Sequence, residues 1–394
     1  MRILQINPHI SEFTSTGKQV IGLHRYYQKK GYESFLAYSE KDNSFHNVFC
    51  YGVIFDKYFS AFLTRLFGNR YGRAYFSTTK LINYIKKINP NVVQIHCINC
   101  YDVNIYRLFS FLKTNNYRVI ITEHAEFFHT GNCSHAYECK QFYNGCKKCP
   151  RLFFSTRCAF FYSVEKGWKK MRNAFDGFTN STLVSVSPWL LNRTMNSKIN
   201  NGIEKRCIYN GTDNSCFFYL NVECKRQALY ITSNSASSNK GLNYIFKLAS
   251  LLPDIDFIVV GLINKKIING SKLSNVIFKG FVFDPEKMAA IYRESAVTII
   301  LSEVETFGMC VAESLMCGTP VAGFKCGGPE SVAPLSCSKF VEYGNVDDLS
   351  KEIKNIVDIY AFNKRDIAEQ AKKMYSFETI GEEYCRLIER EILK

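Results

Sequence analysis

No apolar run in this chain approaches the ~20 residues a membrane-spanning helix needs; stretches such as FIVVGLI (257–263) stop far short. The opening residues MRILQINPH lack the apolar core of a secretory signal, so the expectation is a soluble chain kept in the cytosol. Acidic residues are scarce in the first half. Residues 1–190 hold 11 Asp and Glu against 25 Lys and Arg, whereas 191–394 hold 24 against 25. A basic half joined to a neutral half implies that one domain faces something anionic: phospholipid, a polyphosphate lipid or nucleic acid. Histidine is absent after residue 135, and no internal repeat is visible. What is plentiful excludes a disordered protein, since 46% of residues are hydrophobic and 15% aromatic. Sixteen cysteines would suggest disulfides in a small secreted protein. In a long chain without a leader, isolated ones such as Cys207, Cys310 and Cys317 read as small hydrophobes.

At 394 residues, two domains are expected. Strand-like and helix-like stretches alternate twice over, from RILQI through NYRVIITEHA and again from ALYITSN through AVTIILS, which predicts parallel α/β units. The expected division is a first doubly wound, Rossmann-like domain over 1–190 and a second over 191–375. A closing amphipathic helix would follow over 376–394. Two such domains would place ligands at strand carboxyl ends, facing each other across a cleft.

The stretch SEVETFGMCVAESLMCGTPVAGFKCGGPESV (302–332) carries the densest signal. AVTIILS reads as a buried strand, EVETFG as the loop after it, and MCVAESLMCG as a helix stopped by Gly318. Thr306, Phe307, Gly308 and Met309 then lie near a helix N-terminus, where backbone N–H groups and the dipole favour a diphosphate. Glu305 precedes that helix and Glu313 lies one to two turns inside it. A carboxylate accepts two hydroxyl hydrogen bonds at once, so the pair suits a polyhydroxylated ligand.

This stretch resembles the Glu-x7-Glu signature of retaining glycosyltransferases of family 4, whose fold is GT-B, with FG, ES, CGTPVAG and GGPESV in the same order. The resemblance implies that Glu305 contacts the donor sugar, the backbone from Phe307 to Met309 holds its phosphates, and Glu313 bonds the nucleotide ribose. IYNGTDNSCF (208–217) resembles the family's Pro-Asn-Gly-Val-Asp turn, with Tyr209 in place of Pro. NKGLNYIFKLA resembles the segment whose lysine binds the donor diphosphate, here Lys240; Ser235 stands where an arginine is usual. The backbone near Phe281 and Val282 is implied to border the base. STGKQ, with Gly17 alone where two glycines are usual, matches the loop that approaches donor and acceptor. The final helix resembles one that crosses back to the first domain.

His124 sits just past a buried strand's carboxyl end, where the family often has a histidine near the transferred sugar; a buried, hydrogen-bonded histidine is the alternative. Glu126 is a weaker neighbour. Cys133, Cys139, Cys146 and Cys149 are spaced C-x5-C-x6-C-x2-C, which suggests tetrahedral zinc, with His129 and His135 as substitute ligands. Unmetallated thiols packing a small loop is the other reading. This block, about 129–150, resembles an insertion in exopolysaccharide and O-antigen members of colanic-acid type. Asp254-Ile255-Asp256 fits a metal–nucleotide pattern of another transferase fold, but it reads as a strand entrance, so no divalent metal is expected in the chemistry. KYFSAFLTRLFGNRYGRAYF (57–76) interleaves aromatics with cations. It suits a membrane surface, nucleic acid, or core residues flanked by solvated charge.

The reading is a retaining glycosyltransferase, peripheral at the inner membrane face. It would move a sugar from a UDP- or GDP-sugar to a glycan on a lipid diphosphate, in surface-polysaccharide synthesis. Structural zinc aside, it needs no cofactor, and no nucleic acid is expected as a partner. The rivals are a GT-B nucleotide-sugar epimerase and a non-catalytic basic protein that binds nucleic acid. The latter would leave Glu305 and Glu313 without a role.

Overall fold

A computed structural model describes residues 1–40, 48–158, 163–232, 240–270 and 273–393. They form two compact units, Met1–Tyr209 with Gly381–Lys394, and Asn210–Ile380.

The first unit is built on strands β1 (Arg2–Ile6), β2 (Glu33–Tyr38), β3 (Val48–Cys50), β4 (Val92–Ile95), β5 (Arg118–Glu123), β6 (Ser181–Ser185) and β7 (Glu204–Cys207). Their order in the sheet is β3-β2-β1-β4-β5-β6-β7, and every pairing is parallel. Helices Ser15–Lys29, Tyr75–Ile88, Ile105–Thr114 and Val164–Phe175 are among the crossovers. β1, β4 and β5 are mostly apolar, as strands of a parallel sheet covered on both faces are, with Gln5, Gln94, Thr122 and Glu123 as buried polar exceptions. Ile3, Leu4, Val93, Ile95, Ile120 and Ile121 are fully buried. The boundary expected at residue 190 is corrected by β7: it pairs with β6 from Thr182↔Glu204 onward, so residues 191–209 belong to the first unit.

The second unit carries β8 (Gln227–Thr232), β9 (Asp256–Gly261), β10 (Val276–Gly280), β11 (Val297–Ile300), β12 (Val321–Phe324) and β13 (Ser338–Val341). Their order is β10-β9-β8-β11-β12-β13, again parallel. Its core gathers Phe257, Val259, Ile299, Phe324, Leu349 and Ile353. Asp256 opens β9 and Asp254 pairs with Arg226 at 2.5 Å just before it, as strand-entrance polar residues do.

Each sheet reverses its winding once, between β1 and β4 in the first and between β8 and β11 in the second. Ligands of open parallel sheets sit outside the carboxyl ends of the strands at that reversal. The final helix, Phe377–Leu393, belongs from Gly381 onward to the first unit. There Tyr384 shares a hydrogen bond with Thr122 (3.1 Å), and Tyr26 donates to Glu382 (3.0 Å). A Cβ at position 381 would run into the Tyr26 ring, so only glycine lets the helix come this close. Among the described residues, no helix is long and apolar enough to cross a membrane.

Candidate functional site

In the second unit, the segments after β8 and β11 meet at the reversal. Lys240 follows β8 and forms an ion pair with Glu305, which follows β11; both are partly exposed. Ser302 Oγ donates to the same carboxylate oxygen, Glu305 Oε1, at 3.1 Å. The Glu305 backbone is strapped at both ends: its N–H donates to Cys326 (3.0 Å), and its carbonyl accepts from Gly328 N–H (2.8 Å). Glu330 secures that second loop by accepting from the N–H groups of Gly327 (2.7 Å) and Cys326 (3.0 Å). The carboxylate is thus held by backbone on a rigid frame rather than carried on a free loop. Burial pulls the Lys240 ammonium down, but Glu305 beside it prevails and holds it above the usual lysine range.

Two glycines make this approach feasible. Gly241 has φ +77°, and a Cβ there would strike the Leu301 carbonyl. Gly308 has φ +83° and caps the helix Met309–Met316, whose N-terminal end lies beside Pro329. That helix carries Glu313, only 8% exposed, whose Oε2 accepts from the buried Tyr292 hydroxyl at 3.0 Å. Between the two carboxylates lies Cys310. Burial, then Glu305 and Glu313, push its thiol up to about 12, so it stays protonated. Lys240 and Glu305 are therefore brought together, and Gly308, Met309 and Glu313 lie on the helix that follows Glu305 and on its cap. The Phe307 side chain is not part of that surface: it is 2% exposed and its ring lies edge-on to Tyr375. Phe281 and Val282 occupy the segment directly after β10, with the Phe281 ring packed on Phe283. Ser235 lies outside the described residues.

In the first unit, His124 follows β5, and its Nε2 meets Nδ1 of His96 at 3.1 Å. Nε2 of His96 in turn meets Gln5 Oε1 at 3.2 Å. Gln5, His96 and His124 come from β1, the end of β4 and the end of β5, so the relay lies at the reversal of this sheet. Burial lowers His124 to about 4 and His96 well below its ordinary value, so both imidazoles are neutral at physiological pH. Gly17 serves its own loop. Thr14 caps the helix by accepting from Gly17 N–H (3.2 Å), and a Cβ at 17 would strike the Ser11 carbonyl.

Glu126 is a buried structural carboxylate. It accepts from Arg193 Nε (2.6 Å) and from Ala136 N–H (2.6 Å), and lies 3.5 Å from His129 Nε2. His129 also pairs with Glu123 at 3.0 Å. Burial opposes its charge, but Glu123 and Glu126 outweigh burial and raise it to about 9. His129 is thus committed to carboxylates, which corrects its reading as a substitute metal ligand.

Cys133, Cys139, Cys146 and Cys149 all line one cavity of about 20 Å³, together with Phe142 and Val164. This donor set is the one a structural zinc would take. Among the described residues, however, no three His, Cys, Asp or Glu side chains stand in a ready-made metal-holding group.

Comparison with known proteins agrees with this geometry. Residues 221–374 match the family model "Glycosyl transferases group 1". A stretch of 73 residues is 37% identical to a D-inositol 3-phosphate glycosyltransferase of Nocardiopsis dassonvillei, covering 18% of this chain and 17% of that relative's length. Among solved structures, sucrose-phosphate synthase of Thermosynechococcus elongatus superposes with a TM-score of 0.70 at 14% identity, over 99% of this chain and 98% of that one. HepE of Anabaena, solved with UDP-glucose, gives 0.66 at 12% identity, over 99% and 100%. The lipopolysaccharide outer core galactosyltransferase WaaB gives 0.68 at 12% identity, over 99% and 100%. Two parallel Rossmann-like sheets of the GT-B type therefore build the described residues, and residues 221–374 are similar to the glycosyl transferases group 1 family.

Proposed function

We propose that this protein is a retaining glycosyltransferase of family 4 type, moving a sugar from a nucleotide sugar to a lipid-linked glycan in surface-polysaccharide synthesis. The observation that carries the reading is the Lys240–Glu305 pair at the β8/β11 reversal, beside the N-terminus of Met309–Met316 and with Glu313 farther along the same helix. In the free protein, ammonium and carboxylate neutralise each other. An entering diphosphate competes for Lys240 and leaves Glu305 to accept hydrogen bonds from sugar hydroxyls. Lys240 and the helix dipole then stabilise the charge that grows on the departing diphosphate. Glu313, oriented by Tyr292, takes the ribose hydroxyls, and the backbone after β10 at Phe281 and Val282 borders the base.

Retention follows when the departing phosphate accepts the acceptor's proton on the face it leaves, so no protein general base is required. His124, neutral and oriented through His96, serves the sugar or the acceptor as a hydrogen-bonding group. Zinc on Cys133, Cys139, Cys146 and Cys149 would clip the insertion and supply no chemistry. The basic first unit suits a lipid-diphosphate acceptor at an anionic membrane surface.

Thermal unfolding with UDP-, GDP-, dTDP- and CMP-sugars tests the reading, because a ligand of the folded state raises Tm. One nucleotide class should stabilise the wild type and not Glu313→Gln. If no nucleotide sugar shifts Tm even at millimolar concentration, the donor site proposed here is wrong.

A further inference from the structure

The helix Ile54–Phe67 is packed inside out. Its buried residues are Asp56, Ser60 and Thr64, one stripe at i, i+4 and i+8. Each is engaged. Asp56 accepts from Ser77 N–H (2.8 Å), Ser60 Oγ accepts from Ala74 N–H (2.9 Å), and Thr64 Oγ1 donates to the Ser60 carbonyl (2.7 Å). The first two bonds fasten the helix to the start of the next one, Tyr75–Ile88. At ~100° per residue, the stripe of Phe55, Tyr58, Phe59 and Phe62 points about 150° away from that polar seam. Phe55 is 67% exposed, Tyr58 70% and Phe62 58%. An ordinary surface helix is oriented the other way, apolar face to the core.

The patch continues beyond this helix. Tyr75 and Phe76, at the start of the next helix, are exposed. Cys158 Sγ reaches the Leu66 carbonyl at 3.5 Å, and Phe153 and Phe154, in the short helix just before Cys158, are also exposed. Cations predominate around it, although Lys57 is paired with Glu40. Between residues 50 and 80 stand Lys57, Arg65, Arg70, Arg73 and Lys80, against Asp56 alone, and Asp56 is buried. Two copies meeting through this face would bring like charges together. An anionic bilayer instead meets the cations with headgroup phosphate and takes the aromatic rings at the interfacial depth they favour.

We propose that the outward face of Ile54–Phe67 docks this protein onto anionic phospholipid, with its aromatic side chains inserted among the headgroups and the flanking cations on lipid phosphate. This deepens the proposed function by naming the surface that reaches a lipid-borne acceptor, yet it stands or falls without the donor site.

The test is flotation of the full chain with vesicles of phosphatidylcholine alone and of phosphatidylcholine with about one-third phosphatidylglycerol. The protein should float with the anionic vesicles, bind the neutral ones more weakly, and dissociate as salt rises. Phe55→Ser combined with Tyr58→Ser and Phe62→Ser should lower partitioning at least about tenfold. The tryptophan-monitored unfolding transition and the nucleotide-sugar Tm shift should stay unchanged. Three outcomes overturn the proposal: no binding of wild type to anionic vesicles, equal binding by the variant, or a concentration-dependent wild-type dimer that the same substitutions abolish. Because the donor shift is read on the same samples, a failed docking face and a failed donor site are told apart.

Discussion

Raising the pH should weaken the first unit through His129. In the folded chain its imidazolium is held at about 9, against 6.5 for the ordinary side chain. That difference of ~2.5, at ~1.36 kcal/mol for each tenfold, makes proton binding by the folded state tighter by about 3 kcal/mol. The sign follows from the direction. A histidine raised on folding contributes its full stabilisation below ~6.5, and that contribution is lost as pH climbs through about 9. The two tryptophans, Trp168 and Trp189, both lie in the first unit, so fluorescence-monitored urea unfolding reports that unit alone. Wild type should lose about 3 kcal/mol more than His129→Gln between pH 6 and pH 10. Comparing the two cancels the tyrosines, lysines and thiols that titrate in both. Should His129→Gln fail to fold, Glu123→Gln, which removes one of the two carboxylates, should flatten the same profile in part. Parallel profiles for wild type and variant would refute the buried ion pair.

Tyr292→Phe should remove the buried hydroxyl that serves Glu313. Equilibrium unfolding should show a loss of ~1–3 kcal/mol, and the nucleotide-sugar Tm shift should shrink. Glu305→Gln should keep the donor Tm shift but lower initial transfer rates by about a hundredfold; a near-normal rate would remove the residue from the chemistry. Gly241→Ala forces a Cβ into the Leu301 carbonyl at φ +77°. It should lower stability of the second unit by ~2 kcal/mol or more, seen by circular dichroism while the tryptophan signal is unmoved. Metal analysis of protein purified without chelator should find about one zinc per chain, absent from the double variant Cys146→Ser, Cys149→Ser.

Much of the fold is legible because both units are parallel sheets, whose strands announce themselves as apolar runs. RILQI is β1, and the expected helix over 309–318 is Met309–Met316. In the second unit, Glu305, Gly308 and Glu313 stand out in the sequence because they fall within one short segment, 305–313. Their supporting partners do not. Tyr292 reaches Glu313 from the helix Pro285–Glu294, and its place in the sequence, amid an ordinary buried stripe, carries no mark of that role. His96 escaped attention beside His124, although both follow buried strands directly; the clue available was that shared position. Strand order makes them neighbours through the β4–β5 pairing, which residue spacing does not encode. The stretch 57–76 shows the limit of periodicity. A pattern of apolar and polar stripes gives the helix but not which stripe faces inward. Here Asp56 and Ser60 face inward because backbone N–H groups at the start of the next helix need acceptors, and Thr64 on the same stripe donates back to the Ser60 carbonyl.

The return of Gly381–Lys394 to the first unit has a bearing on how the protein is made. Tyr384 meets Thr122, Tyr32 meets Glu389 (2.5 Å), and Arg390 meets Glu204, so the first unit is finished by residues synthesised after the second. On the ribosome, the second unit can close while the first still waits with Thr122 and the flank of Tyr26 uncovered. A stop codon or proteolytic nick near residue 380 would therefore injure the distant amino-terminal unit rather than the domain it adjoins.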